Sequence, residues 1–279
     1  MQIVNLDTPE TLAVLVYGQP GSGKTTFLGS ACDDDRSYPM LHIDVSGNPE
    51  TLTKRQSTTK PSTLGRKPYV LKLQKLKELN AIYDWFAKGQ PDNHAMVDQL
   101  GCTPGYKTLS FDGITAIQRK SFAIVTGQEL QPGDIPLKAE WPHYAAVLRQ
   151  MLTIATAFLQ ELRSVHVLIS CLEHSEQRYL LPGEAKTAYT YFEPGLSGQA
   201  VIELPGEALA VLRFAHKSQV AVDVNKQTKA QYTVAQLSQN RFAYAKDQHH
   251  LGGIRIDDTV YMADPTVAKL LDALERKYQ

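Results

Sequence analysis

One stretch constrains this chain of 279 residues more than any other: Gly18-Gln19-Pro20-Gly21-Ser22-Gly23-Lys24-Thr25-Thr26, the pattern G-x-x-x-x-G-K-[ST]. An apolar run of strand length, Leu12 to Tyr17, precedes it. A helix is predicted from Lys24 to about Cys32. Strand, glycine-rich turn and helix start together make a concave anion site. Backbone N–H groups and the helix N-terminus face the anion, and side chains there would block its approach. Lys24 is placed for the β- and γ-phosphates of a nucleotide, and the Thr25 hydroxyl for a Mg²⁺ ion. All nine residues, 18 to 26, are assigned to cofactor binding.

Further apolar runs are expected as strands at 40–45, 69–73, 108–112 and 165–170, with helical periodicity at 76–86, 114–125 and 143–162. Residues 46–68, 89–107 and 128–140 read as loops, the last irregular and mobile. Strands alternating with helices predict an α/β fold around a mainly parallel sheet. Short β-like runs at 208–214, 220–224, 232–237 and 241–245 predict antiparallel strands near the C-terminus. A closing helix is expected at 265–277, with Asp264 as N-cap and Pro265 at its first position. The chain is read as one domain over 1–279, with a core about 10–215 and an extension about 216–279.

Asp112 ends the strand Leu109 to Phe111 and is the second residue expected at the metal. Gly113 follows it, which weighs against an AAA+ or helicase pattern with adjacent Asp and Glu. The acid that orients water is then sought elsewhere, with Asp44, Glu50 and Glu173 as candidates. Basic and acidic side chains number 29 each, so overall charge does not drive nucleic-acid binding. Cys32, Cys102 and Cys171 show no CxxC spacing, which fits a reducing compartment and no zinc site. No basic and apolar leader opens the sequence and no stretch reads as a membrane span; a cytoplasmic protein is expected.

From the phosphate loop onward, the sequence resembles RecA-like P-loop ATPases, specifically phage nucleotide-binding proteins of the single-strand-annealing recombinase group. The segments that carry the resemblance run in order: residues 15–26, Ile43-Asp44, residues 109–116, His143-Tyr144, residues 167–170 with Glu173-His174, Leu204-Pro205-Gly206, residues 211–213, and Ala245-Lys246-Asp247. The resemblance implies a RecA-like P-loop NTPase core with ATP and Mg²⁺ as cofactors, self-assembly, and single-stranded DNA as partner. It also implies a cation reaching the γ-phosphate from a neighbouring subunit. Lys246 matches best, with Arg213 and Lys217 as alternatives.

Residues 54–67 hold Lys54, Arg55, Lys60, Arg66 and Lys67 with no acid, a candidate track for a phosphate backbone beside Tyr69. A solvated loop is the competing reading of that stretch. The expected function is therefore a slow, DNA-stimulated ATPase in phage-type recombination or annealing. One alternative is a nucleotide-gated scaffold that recruits a replication or single-strand-binding protein. The other is a small-molecule kinase, for which no arginine-rich lid is visible.

Overall fold

The computed structural model describes residues 11–45, 65–127, 138–179, 188–223, 226–237, 261–263 and 265–278. Its centre is β1 (Ala13–Gly18), buried along all of its length. Around it lie β2 (Met40–Asp44), β3 (Tyr69–Lys72), β4 (Thr108–Asp112), β5 (His166–Tyr179), β6 (Ala188–Pro194), β7 (Ala210–Asp223), β8 (Lys226–Leu237) and β9 (Tyr261–Ala263). The order across the sheet is β3-β2-β4-β5-β1-β7-β8-β9, with β6 paired to β5. Every pairing from β3 to β7 is parallel, and β5–β6, β7–β8 and β8–β9 are antiparallel. The expected α/β class with a mainly parallel sheet and antiparallel C-terminal strands is the one observed.

The continuous apolar run of β1 follows from burial on both faces. Leu15 and Tyr17 join a core with Ile43, Phe111, Ile169 and Trp85. Val14 and Val16 join a second core with Phe27, Leu168, Phe214 and Leu270. Helices α2 (Glu78–Ala87), α3 (Ala95–Asp98), α4 (Ile114–Thr126), α5 (Trp141–Ala155) and α6 (Ala200–Glu207) contribute to the first core. The second lies under α1 (Lys24–Gly29) and α7 (Val267–Tyr278).

Several elements differ from the sequence reading. The stretch 89–107 contains the short α3, whose first turn is capped by His94 through the Met96 N–H. Helix α5 starts at Trp141, two residues early, because Glu140 and His143 form a reciprocal capping box ahead of it. A π-helical turn (Thr156–Glu161) completes it. Strand β5 continues well past Ser170, as one arm of a hairpin with β6. Residues 210–214 of β7 run parallel to β1, and only its pairing with β8 is antiparallel. Neither β6 nor α6 was expected. Helix α7 begins at Val267, whose N–H donates to Ser30 Oγ at 2.8 Å, so Pro265 precedes the helix. Asp264, residues 128–137 and residues 241–245 lie outside the described residues.

Candidate phosphate and metal site

The loop after β1 is shaped by contact. A Cβ on Gly18 would lie 2.5 Å from the Phe214 carbonyl oxygen and 2.7 Å from Ser22 Oγ, closer than real atoms pack. Only glycine lets β1 pass between β7 and the turn. Gly23 holds φ at 95°, in the left-handed region, and serves as N-cap of α1. The Ser22 N–H donates to the Gln19 carbonyl at 3.1 Å and closes the turn. Ser22 is buried, while Gln19, Pro20, Gly21 and Thr26 are exposed.

Lys24 is folded back into this turn. Its Nζ donates to the carbonyls of Gly18 at 2.7 Å and Gln19 at 2.8 Å, and lies 3.5 Å from Ser22 Oγ. Burial lowers its pKa from the ordinary lysine value; Asp112, Cys171 and Glu173 pull the other way. Cys171 itself is pushed up to about 11 by burial, so it stands there as a neutral thiol.

The Thr25 hydroxyl donates to Asp112 Oδ2 at 2.6 Å. Ser170 Oγ donates to Asp112 Oδ1 at 2.5 Å and accepts from the Gly113 N–H at 2.9 Å. Three elements therefore meet at one carboxylate: α1, the end of β4, and β5 at Ser170. The hydroxyl and the carboxylate are hard oxygen donors already in contact, a set that fits a magnesium ion. Gly113 occupies a left-handed N-cap (φ 105°) of α4, so the residue after Asp112 is set by the strand-to-helix turn.

Asp44 ends β2 directly opposite Asp112 in the parallel register and is 1% exposed. One pleat back, His42 Nδ1 lies 2.7 Å from Ser110 Oγ. Burial lowers the His42 pKa to about 4, against the pull of Asp112 and Asp44. Glu173 stands on β5 just past the part that pairs with β1, its side chain 1% exposed. It accepts from Arg213 Nε at 2.7 Å and from Nη2 at 3.5 Å. A surface cavity of about 630 Å³ opens beside it, lined in part by Thr115, Arg119, His174 and Glu193.

The structure thus gathers Lys24, Thr25, Asp44, Asp112 and Glu173 at the C-terminal ends of the parallel strands. Arg66 and Lys67 precede β3, at the opposite ends of those strands. Arg66 is paired with Asp35 at 2.6 Å, with its guanidinium 4.8 Å above the Tyr38 ring. Tyr69 is half-exposed and packs edge-on against Tyr106, 5.3 Å between centroids. Glu50, Lys54, Arg55, Lys60 and Lys246 lie outside the described residues, as does the side chain of Lys217. Sequence reasoning missed Ser170 as a partner of Asp112. Its signal is a polar residue closing the run Val167 to Ile169, as Asp112 closes Leu109 to Phe111.

Among the described residues, no group of three or more His, Cys, Asp or Glu could hold a metal ion, and no helix is long and apolar enough to cross a membrane. Residues 10–249 match a family described as an AAA domain, AAA_24. No curated protein matches the chain at a significant level. Among solved structures, the crystal structure of the RadB recombinase is similar at 14% identity, covering 82% of this chain and 81% of that one, with a TM-score of 0.37. The flagellar accessory protein FlaH from Methanocaldococcus jannaschii is similar at 12% identity, covering 82% of this chain and 78% of that one, with a TM-score of 0.36.

Proposed function

Because the chain belongs to the AAA_24 family of AAA domains, we propose that it is a RecA-like P-loop ATPase. In this reading it binds Mg-ATP at residues 18–26 and acts as an oligomer on single-stranded DNA, in phage-type recombination or annealing. The observation that carries the nucleotide half is the Thr25–Asp112 contact beside the buried Lys24. Lys24 exchanges the carbonyls of Gly18 and Gln19 for phosphate oxygens. Thr25 and Asp112 would hold Mg²⁺, which when bound would neutralise phosphate charge. Asp44, buried beside Asp112, orients the water that attacks the terminal phosphorus, and ADP leaves as the P–O bond breaks.

The DNA half draws on the ordered segments of the sequence resemblance and on topology. Leu172 and Phe214 stand level with Gly18, and both of their strands continue from there into antiparallel hairpins. Two β-arms thus project from the phosphate-loop edge, where a partner of the nucleotide-bound state would be contacted. The test is steady-state Mg-ATP hydrolysis at low salt with and without single-stranded DNA. Stimulation is expected; turnover indifferent to DNA would remove the DNA half. A second reading, a nucleotide-gated scaffold, is favoured by Gly113 standing where an adjacent glutamate would assist hydrolysis. Assembly on ATP with no turnover in either condition would select it.

A further inference from the structure

The Glu173–Arg213 pair has a peculiar position. Arg213 is level with Tyr17 on β7, and Glu173 lies one residue past the position on β5 that is level with Gly18. Strand β1 runs between them, so the ion pair spans β1 where it becomes the phosphate loop. Strand alternation puts both side chains on the face of Tyr17, Cys171 and Val211. The carboxylate is 1% exposed and the arginine side chain 20%. Glu173 is also near enough for its charge to act on Lys24. Glu173 thus acts on two cations, as the ion-pair partner of Arg213 and through its charge on Lys24.

We propose that this pair is a clamp that opens on nucleotide: Arg213 passes from the Glu173 carboxylate to the terminal phosphate and acts in cis as the site's arginine. The inference rests on the nucleotide reading above. A buried carboxylate is costly without a cation, and Arg213 supplies one to Glu173. A triphosphate on the loop offers a multi-oxygen acceptor at the same end of β1, and a guanidinium matches both phosphate and carboxylate in shape. Arg213, an alternative to Lys246 in the sequence reading for the cation reaching a neighbouring subunit, is engaged within its own chain.

The test is the affinity for Mg-ATP relative to Mg-ADP in the full chain and in Glu173→Gln, Arg213→Gln and Arg213→Lys. The clamp predicts that Arg213→Gln lowers the ATP-over-ADP preference about 10–100-fold, the worth of a charge-assisted hydrogen bond. Mg-ADP affinity should hardly change. Arg213→Lys should restore part of the preference. Glu173→Gln should raise the preference several-fold, because the arginine no longer leaves a carboxylate. A pair that only staples β5 to β7 would shift both affinities in parallel, and that result overturns the clamp while leaving the nucleotide site intact. Should Arg213→Gln fail to fold, an unaltered preference in Glu173→Gln overturns it alone. A wild-type chain that binds neither nucleotide would overturn both readings.

Discussion

Gly18 shows how little latitude single residues have at this site. Its missing side chain leaves room for backbone on one side and a hydroxyl on the other. Gly18→Ala is expected to destabilise the fold by about 1–3 kcal/mol through overpacking. Thermal unfolding checks this, since a melting temperature equal to wild type would mean that β7 yields freely. Asp112 has a different burden: it receives the hydroxyls of Thr25 and Ser170. Asp112→Asn keeps the shape and removes the charge. Nucleotide binding should largely survive while Mg²⁺-dependent turnover falls on the order of 10²-fold or more; equal turnover would deny the residue its role. The loop residues were legible in sequence because each type has a local task. Ser170 was not read as an Asp112 partner, nor Arg213 as a Glu173 partner. Which side chain meets which depends on strand order, and nothing in either residue's immediate neighbours encodes it.

At the scale of elements, the helix behind the phosphate loop is tied to the end of the chain. Ser30, in the 3₁₀ turn after α1, donates to the Phe27 carbonyl and accepts from the Val267 N–H of α7. Arg36 adds bonds to Asp34 and Asp272. Ser30→Ala should cost about 1 kcal/mol, the usual worth of a helix cap, here supplied from a distant segment. Urea unfolding measures it, and an unchanged midpoint would show that α7 docks by its apolar side alone. Apolar runs announced β1, β2 and β4 within a residue or two. The outer part of β5, which reads Ser-Glu-Gln-Arg over 175–178, carries no such signal. It is a strand because β6 completes its backbone ladder. Helix α6 contains Pro205, which kept it from being read as a helix in the sequence.

At the scale of the whole molecule, burial holds two histidines of the sheet toward the neutral form. His166 accepts the Leu12 N–H on Nδ1, so its proton sits on Nε2, facing the Arg36 carbonyl at 3.3 Å. Burial lowers the pKa of His166 and takes His42 to about 4. Both folded-state values lie below the unfolded value of about 6.5, so the unfolded chain binds more protons between them. The stability they contribute is fully present above about pH 6.5 and is lost as pH falls through that window. Each pKa unit of depression is worth about 1.4 kcal/mol. The urea midpoint should therefore drop between pH 7.5 and pH 5; a flat profile would contradict the neutral assignment. At this scale the parallel sheet was legible from alternating strands and helices, but the placement of β5 between β1 and β4 was not. That placement carries Ser170 and Glu173 to the site. The central claim remains that the ends of β1 and β4 form a nucleotide site. Calorimetric titration of Mg-ATP into wild type and Lys24→Ala tests it most directly. Saturable binding to wild type, weakened at least about tenfold in the variant with a near-native melting temperature, is the predicted result. Equal affinity in the two chains, or none in either, would contradict it.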